Sequence, residues 1–190
     1  MEIVLVRHGK PSAAVYPKLS AAGFVAWVRK YHHSGLLVDS LPPQQLKSQL
    51  ESHYVVGSDL KRAVESAIRC TDQPPKTYKL FREMEIPRYK LPFTIKANYW
   101  LYLNRLLWTI GFKGPFESYT EAKQRAYLAA ELVICLAEEH QKVAVFGHGY
   151  LQFFMRKQLV KRGWKLQASS SSHWGLSRLT APNDARANHQ

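Results

Sequence analysis

Three short segments of the chain place arginine, histidine and glycine directly after apolar stretches typical of β-strands. Arg7 and His8 follow the first of these stretches. Ser58 and Arg62 follow the second, and His148 stands between two glycines after a later one. In an open α/β sheet, side chains at the carboxyl ends of the strands meet in one crevice. Two arginines, two histidines and helix N-termini in one crevice can bind three phosphoryl oxygens, so these segments predict a phosphate site.

The spacing of apolar residues predicts alternating strands and helices around these segments. Strands are predicted at 2–6, 54–57, 76–80, 142–146 and near 175–179. Helices are predicted from 20 to about 33, and at about 42–51, 58–70, 99–110, 119–140 and 150–162, with Ser58 as the cap of the third. This alternation is typical of an α/β fold, and we expect a three-layer α/β/α sandwich with a mainly parallel central sheet.

The length of 190 residues suits a single domain. We expect this domain over residues 1–181, with a cap or insert around 84–116 and a flexible tail at 182–190. The two cysteines, Cys70 and Cys135, lie far apart and outside any Cys-x-x-Cys pair, which argues against a disulfide framework. No apolar run approaches the ~20 residues of a membrane span, and no leader pattern opens the chain, so we expect a soluble cytoplasmic protein.

The charge of the chain is strongly positive. It holds 27 Lys and Arg against 14 Asp and Glu, a formal net charge of +13, and no acidic residue occurs in 86–116 or 140–183. Phosphorylated small molecules, nucleic acids and anionic membrane surfaces all suit such a field. The phosphate site favours a phosphorylated small molecule or phosphoprotein as partner. We expect no membrane partner, and a nucleic acid is disfavoured because no nucleic-acid motif is present.

Four motifs in order resemble the histidine phosphatase superfamily, the phosphoglycerate-mutase-like fold. They are VLVRHGKP at 4–11, LSAAG at 19–23, SDLKRAVESA at 58–67 and VAVFGHG at 143–149. The stretch ESYTEAKQRA at 117–126 is also similar to the helix that precedes the last motif in that family. The resemblance covers most of the chain and leaves its middle and tail unmatched.

The resemblance implies a role for each residue of the predicted phosphate site. His8 would be the nucleophile and form a phosphohistidine through a neutral ring nitrogen. Arg7, Arg62 and a protonated His148 would hold the equatorial phosphoryl oxygens and stabilise the charge of the transition state. Such chemistry requires no cofactor or metal, and the sequence contains no acidic cluster typical of a magnesium site.

A carboxylic acid is still required to protonate the leaving group and later to activate water. The segment LFREME at 80–85 offers Glu83 and Glu85, which have the same parity along an extended chain. Glu83 is favoured because FREM resembles the acid motif of the family. Alternatively, both glutamates only balance Arg82 and Arg88.

Further residues complete the predicted substrate-binding set. Gly149 and Ser58 lie beside the second histidine and second arginine motifs. Lys10 stands near the place where the family often has a hydroxyl residue, and it could supply charge instead. The loop SSSSHWG at 169–175 could bring His173 to the crevice or serve as a linker. The aromatic residues of the 99–110 helix favour core packing over stacking on a substrate.

These observations favour a metal-independent phosphatase that hydrolyses a phosphomonoester. A phosphohistidine-protein phosphatase and a phosphoglycerate-mutase-type phosphotransferase remain alternatives within the same chemistry. A noncatalytic phosphate-binding or regulatory module is an alternative of another class, since the stretch after Glu83 departs from the family pattern.

Overall fold

A computed structural model describes residues 1–182 of the chain. The strands are β1 (Glu2–Arg7), β2 (Lys18–Leu19), β3 (Tyr54–Gly57), β4 (Lys76–Thr77), β5 (Ile95–Lys96), β6 (Lys142–Gly147), β7 (Lys165–Ser169) and β8 (Leu176–Thr180). The helices are α1 (Ala21–His33), α2 (Gln44–Leu50), α3 (Lys61–Thr71), α4 (Ala97–Thr109), α5 (Tyr119–His140) and α6 (Gly149–Lys161). Among these residues, no helix has both the length and the apolar character needed to cross a membrane.

The central sheet has six strands in the order β4-β3-β6-β1-β8-β7. β1, β3, β4 and β6 run parallel, while β8 pairs antiparallel with β1 and β7 pairs antiparallel with β8. Strands β2 and β5 form a separate two-stranded sheet. The predicted mainly parallel α/β sheet is therefore confirmed.

Alternating side chains of β1 and β6 build the two faces of the core. Ile3 and Leu5 face a cluster that includes the buried sides of α5 and α6. Val4 and Val6 face the opposite side, where α2 and α3 pack. Because successive strand residues point to opposite faces, an apolar run such as EIVLV is suited to a sheet that is covered on both sides. This arrangement confirms the predicted three layers.

Two expectations about the bounds of elements between residues 58 and 81 are wrong. The strand predicted at 76–80 ends after Thr77, and a short 3-10 turn at Lys79–Phe81 follows. This turn carries Phe81 into the core, where it is fully buried. Helix α3 begins at Lys61 rather than at Ser58, because the Ser58 hydroxyl accepts the backbone N–H of Leu60 and holds a turn before the helix.

Strand β7 and the β2–β5 pair have no counterpart among the strands predicted from the sequence. Strand β7 is the edge strand of the sheet, and all five of its residues are exposed. Its sequence contains only two apolar residues, Leu166 and Ala168, which are too few to indicate a strand. The β2–β5 pair has only two residues per strand, which is too short to leave any periodic pattern.

The 84–116 segment is held to the domain by α4. Trp100 and Trp108 are fully buried, in agreement with the expected core packing, whereas Tyr99 and Tyr102 lie exposed. The buried Asn104 accepts the backbone N–H of Tyr89 and thereby fixes the strand-free stretch before the helix. The flexible tail expected at 182–190 lies outside the described residues from 183 onward.

The N-terminus of α5 is stabilised by a capping box whose contribution to stability can be measured. The Ser118 hydroxyl accepts the N–H of Glu121, and the Glu121 carboxylate accepts the N–H of Ser118. We predict that Ser118→Ala lowers the free energy of unfolding by about 1 kcal/mol, because it leaves a first-turn donor without its cap. Urea denaturation measures the change. Thr120→Ala, on the exposed side of the same turn, should change it by less than about 0.5 kcal/mol; equal losses would contradict the prediction.

Candidate active site

The carboxyl ends of β1 and β6 bring two histidines together. The parallel register pairs Arg7 with Gly147, and the His8 N–H donates to the Gly147 carbonyl at 3.0 Å. His8 and His148 therefore follow two adjacent strands at the same level. Their ring centroids lie 5.1 Å apart, close enough for both imidazoles to contact one phosphoryl group.

The His8 ring is held in the form that a nucleophile requires. Its Nδ1 lies 2.7 Å from the Gly9 carbonyl, which can only accept, so Nδ1 carries the proton and Nε2 keeps its lone pair. Burial, reinforced by the nearby Arg62 guanidinium, holds the pKa of His8 well below its ordinary value. Arg62 Nε lies 3.4 Å from His8 Nε2, which agrees with an unprotonated Nε2 facing the pocket.

Arg62 is a buried cation in the first turn of α3. Its Nη1 donates to the carbonyls of Tyr31 and His32 at 3.3 and 3.1 Å, and its guanidinium lies 5.0 Å from the centroid of the Tyr31 ring. Burial lowers the pKa of Arg62, but an arginine remains charged in proteins. The end of α1 therefore orients a permanent positive charge toward His8.

Arg7 supplies a second cation from the end of β1. Its Nη1 donates to the Ser171 carbonyl, which fixes the guanidinium against the loop before β8. Its buried Nε has no partner within the described residues. A Cβ added at Gly149 would lie 3.2 Å from this Nε, so the glycine leaves room for Arg7 beside the N-terminus of α6.

The His148 ring is fully buried. The expected protonated imidazole concerns a ring that holds phosphoryl oxygens, whereas the structure describes the free protein. Burial and then the charge of Arg62 hold the pKa of His148 well below its ordinary value, so the ring is neutral in the free protein at neutral pH. Neither ring nitrogen has a hydrogen-bond partner within the described residues. An unsatisfied buried imidazole beside two arginines is arranged to gain its partner from an anion.

Glu83 lies at the N-terminus of α6, the helix whose N-cap is His148. Its carboxylate accepts the backbone N–H of Leu151 at 2.9 Å and of Tyr150 at 3.3 Å. Helix N-termini favour negative charge, so this helix both presents His148 and fixes the glutamate. The neighbouring Arg82 forms a bidentate pair with Asp59 at 2.6 Å per bond, which ties the segment to the turn before α3.

Glu85 has different partners. Its carboxylate accepts the Glu117 N–H at 3.2 Å and pairs with Arg88 at 3.7 Å. The expectation that both glutamates only balance neighbouring arginines therefore fits Glu85 and not Glu83, since Arg82 pairs with Asp59.

A cavity of about 230 Å³ opens beside Arg62. It is lined on one side by the end of α1, including Tyr31 and His32, and on the other by the 83–88 segment, including Glu83 and Arg88. A larger cavity of about 720 Å³ lies between the amino-terminal ends of β3 and β4. That larger cavity is at the opposite end of the sheet from the histidines, so it plays no part in this site.

The serine-rich loop before β8 forms a wall of the site. The His173 ring lies 5.8 Å from the His8 ring, and a Cβ at Gly9 would lie 2.5 Å from the Trp174 ring. The alternative of a plain linker is therefore wrong for this loop. Burial, followed by the charges of Arg7 and Lys10, lowers the pKa of His173.

Two predicted binding residues differ in their surroundings. Lys10 is exposed, and its backbone N–H donates to the Ser40 hydroxyl at 2.8 Å. Ser58 is fully buried, and its hydroxyl accepts the Leu60 N–H at 3.2 Å. The structure thus brings Arg7, His8, Arg62, Glu83 and His148 together, gives Lys10 a place at the rim and gives Ser58 a role in the turn before α3.

Two supporting residues were not predicted. The Ser66 hydroxyl accepts the Gly9 N–H at 3.0 Å and donates to the Arg62 carbonyl at 2.6 Å. Its position four residues after Arg62 places it on the same face of α3, a signal in the sequence that could have identified it. Arg105 donates to the Met84 carbonyl and lies over the Tyr150 ring, a long-range contact without a sequence signal. Within residues 1–182, no group of three or more His, Cys, Asp or Glu side chains could hold a metal ion.

The buried neutral histidines predict how stability depends on pH. The unfolded chain binds protons at its histidines below a pKa of about 6.5, whereas the lowered pKa values of His8 and His148 keep the folded rings neutral. The free energy of unfolding should therefore fall as pH drops below about 6.5. In urea titrations from pH 8 to 5, His148→Gln should lose less stability than the wild type, and an unchanged slope would contradict this account.

Solved structures share this fold over most of the chain. The protein of a Mycobacterium tuberculosis open reading frame matches with a TM-score of 0.62 and 15% identity, covering 96% of this chain and 92% of that one. Phosphoserine phosphatase from Entamoeba histolytica, solved with 3-phosphoglyceric acid, matches with a TM-score of 0.61 and 16% identity, covering 97% and 98%. A mycobacterial glucosyl-3-phosphoglycerate phosphatase gives 0.54 and 19%, covering 84% and 79%. At sequence identities this low, the matches establish a common fold and nothing more.

No curated protein sequence matches this chain. The family model described as histidine phosphatase superfamily (branch 1) matches residues 43–181. This range includes Arg62, Glu83 and His148, and the structure places all three beside the N-terminal Arg7 and His8. The chain therefore belongs to branch 1 of the histidine phosphatase superfamily.

Proposed function

We propose that the protein is a metal-independent phosphatase that hydrolyses a small phosphomonoester through a phosphohistidine at His8. The observation that carries this proposal is the geometry of the His8 ring. Its Nδ1 lies 2.7 Å from the Gly9 carbonyl, and its Nε2 lies 3.4 Å from Arg62 Nε inside a buried cationic pocket. A neutral imidazole with a fixed tautomer is ready to attack phosphorus. The surrounding arginines supply the positive charge that phosphoryl transfer requires.

In the first step, the His8 Nε2 lone pair forms a bond to phosphorus while the bond from phosphorus to the ester oxygen breaks. Arg7 and Arg62 hold the equatorial oxygens of the transferring group. The departing oxygen takes a proton from Glu83, whose position beside His148 suits a general acid. In the second step, Glu83 takes a proton from water, and the hydroxide oxygen attacks phosphorus and releases His8.

His148 contributes by taking charge only when substrate is bound. Its pKa is depressed by burial and by Arg62 in the free protein. A phosphoryl dianion at the site would offset the field of the arginines and raise that pKa, which favours a proton on His148. The ring nitrogens without partners would then donate to a phosphoryl oxygen.

The size of the adjoining cavity supports a small substrate over a phosphoprotein. A volume of about 230 Å³ lies beside Arg62 and Glu83, where the leaving group of a bound phosphomonoester would extend. The E. histolytica and mycobacterial neighbours are phosphatases of phosphoserine and of glucosyl-3-phosphoglycerate, so small phosphorylated metabolites are the first compounds to test.

The nucleophile is tested by hydrolysis of an aryl phosphate from pH 5 to 8 with chelator present throughout. We expect His8→Ala to reduce the rate to the level of the buffer, because the imidazole forms the covalent bond. The control is His140→Gln, at the far end of α5, which should retain activity. Acid-labile phosphate on the wild type and not on His8→Ala would support the intermediate; a mutant as active as wild type would overturn it.

The general acid is tested with two substrates that differ in their leaving group. We expect Glu83→Gln to lower kcat for an alkyl phosphate by about 10²–10⁴, with a much smaller loss for an aryl phosphate, since an aryl oxide leaves without protonation. Glu85→Gln is the matched control and should change both rates by only a few-fold. Equal losses on the two substrates, or a larger effect at Glu85, would contradict the assignment. A wild type inactive on every phosphomonoester would favour a phosphate-binding module.

A further inference from the structure

Helix α4 carries a second apolar face that points away from the protein. The outer face of α4 consists of Tyr99, Tyr102 and Leu106 together with the C-cap residue Ile110, and these side chains are 56%, 72%, 59% and 63% exposed. Their spacing of three, four and four residues places them on one side of the helix. The face continues past the helix end with Phe112, which is also exposed.

The outer face is not required for folding of the domain. The opposite side of α4 already supplies the buried Trp100 and Trp108, and Trp100 packs with Phe24 and Trp27 of α1. A helix that is apolar on both sides is normally buried on both sides. A contiguous exposed stripe of aromatic and aliphatic side chains therefore marks an interaction surface.

The segment that carries the outer face has charged residues of one sign only. Residues 86–116 contain five Lys or Arg and no Asp or Glu. Lys96 precedes the first residue of α4 and Lys113 follows its end, and both are exposed. An apolar stripe with lysines at its two ends matches a surface that is apolar inside and negatively charged outside.

We propose that the outer face of α4 docks onto an anionic lipid bilayer. The tyrosine and aliphatic side chains would enter the boundary between headgroups and acyl chains, and Lys96 and Lys113 would contact anionic headgroups, as in interfacial helices. A second copy of this chain fits less well, because it would bring identical lysines and another net charge of +13 to the same contact.

This surface differs from a membrane span. The proposal departs from the expectation of no membrane partner, although the net charge of +13 suits an anionic membrane surface. An interfacial helix lies in the plane of the headgroups and requires only one apolar face. The active-site cavity lies between α1 and the 83–88 segment. Helix α4 packs against α1 through Trp100, and its Arg105 donates a hydrogen bond to the Met84 carbonyl of the 83–88 segment.

The proposal is tested by sedimentation of the full chain with vesicles of equal parts phosphatidylglycerol and phosphatidylcholine, compared with pure phosphatidylcholine. We expect binding to the anionic vesicles that weakens with added salt. Replacing Tyr102 and Leu106 together by serine should lower the partition coefficient by at least about tenfold, since two apolar side chains no longer enter the bilayer. Lys96→Glu with Lys113→Glu should cause a loss of similar size.

Matched controls separate the outer face from general stickiness and general charge. Val38→Ser with Leu41→Ser changes two exposed apolar residues outside α4. This pair should leave the partition coefficient within about twofold of the wild-type value. Lys47→Glu with Lys165→Glu changes the net charge by the same amount at other sites. This pair should weaken vesicle binding less than Lys96→Glu with Lys113→Glu. Thermal melting and aryl phosphate hydrolysis establish that each variant remains folded, independently of lipid binding.

Several results would overturn the proposal. They are no binding to anionic vesicles, equal binding to neutral ones, or equal losses in the outer-face variants and their controls. Sedimentation equilibrium that shows a dimer, dispersed by the Tyr102 and Leu106 changes, would assign the face to a second copy. Capture on polyglutamate beads without vesicle binding would assign it to an acidic protein.

Discussion

The pairing of β1 with β6 is the constraint on which the site depends. These two strands are distant in sequence, and their parallel register places Arg7 opposite Gly147. The next residue of each strand is a histidine, so one hydrogen-bonded ladder brings His8 and His148 to the same edge of the sheet. A shift of one residue in either strand would exchange the side chains that pack on the two faces of the core and would move the two histidines to different levels. The core that stabilises the sheet and the geometry of the histidine pair therefore share one register.

Burial determines the protonation states at this edge. The two histidines are buried beside two arginines, and both effects disfavour a proton on imidazole. Arginine keeps its charge under the same conditions, so the pocket stays cationic while its histidines are neutral. That combination provides a lone pair for attack together with positive charge for the phosphoryl oxygens. It also leaves His148 without hydrogen-bond partners in the free protein, a cost that a bound anion would relieve.

The segment between Arg82 and Glu117 connects the candidate active site to helix α4. Asp59 anchors Arg82, the N-terminus of α6 anchors Glu83, and Asn104 and Arg105 of α4 bond to the backbone of the stretch that follows. The position of the proposed acid thus depends on α4, whose inner face is packed into the domain. The same helix presents the outer apolar face, so the element that supports the proposed acid also carries the exposed apolar surface.

The sequence by itself determined the α/β class, the long helices, the residues Arg7, His8 and His148 at strand ends, and Arg62 in the helix after β3. It did so because apolar periodicity and residues placed directly after strands are local properties of the chain. Glu83 and Glu85 have the same parity, and only the tertiary structure distinguishes their surroundings, since Glu83 alone accepts hydrogen bonds from the N-terminus of α6. The tertiary structure also decided that His148 is neutral in the free protein, since a pKa depends on burial and on charges from distant segments. The wall formed by His173 and Trp174 and the support from Arg105 likewise arise from contacts between segments far apart in sequence, which no local pattern encodes.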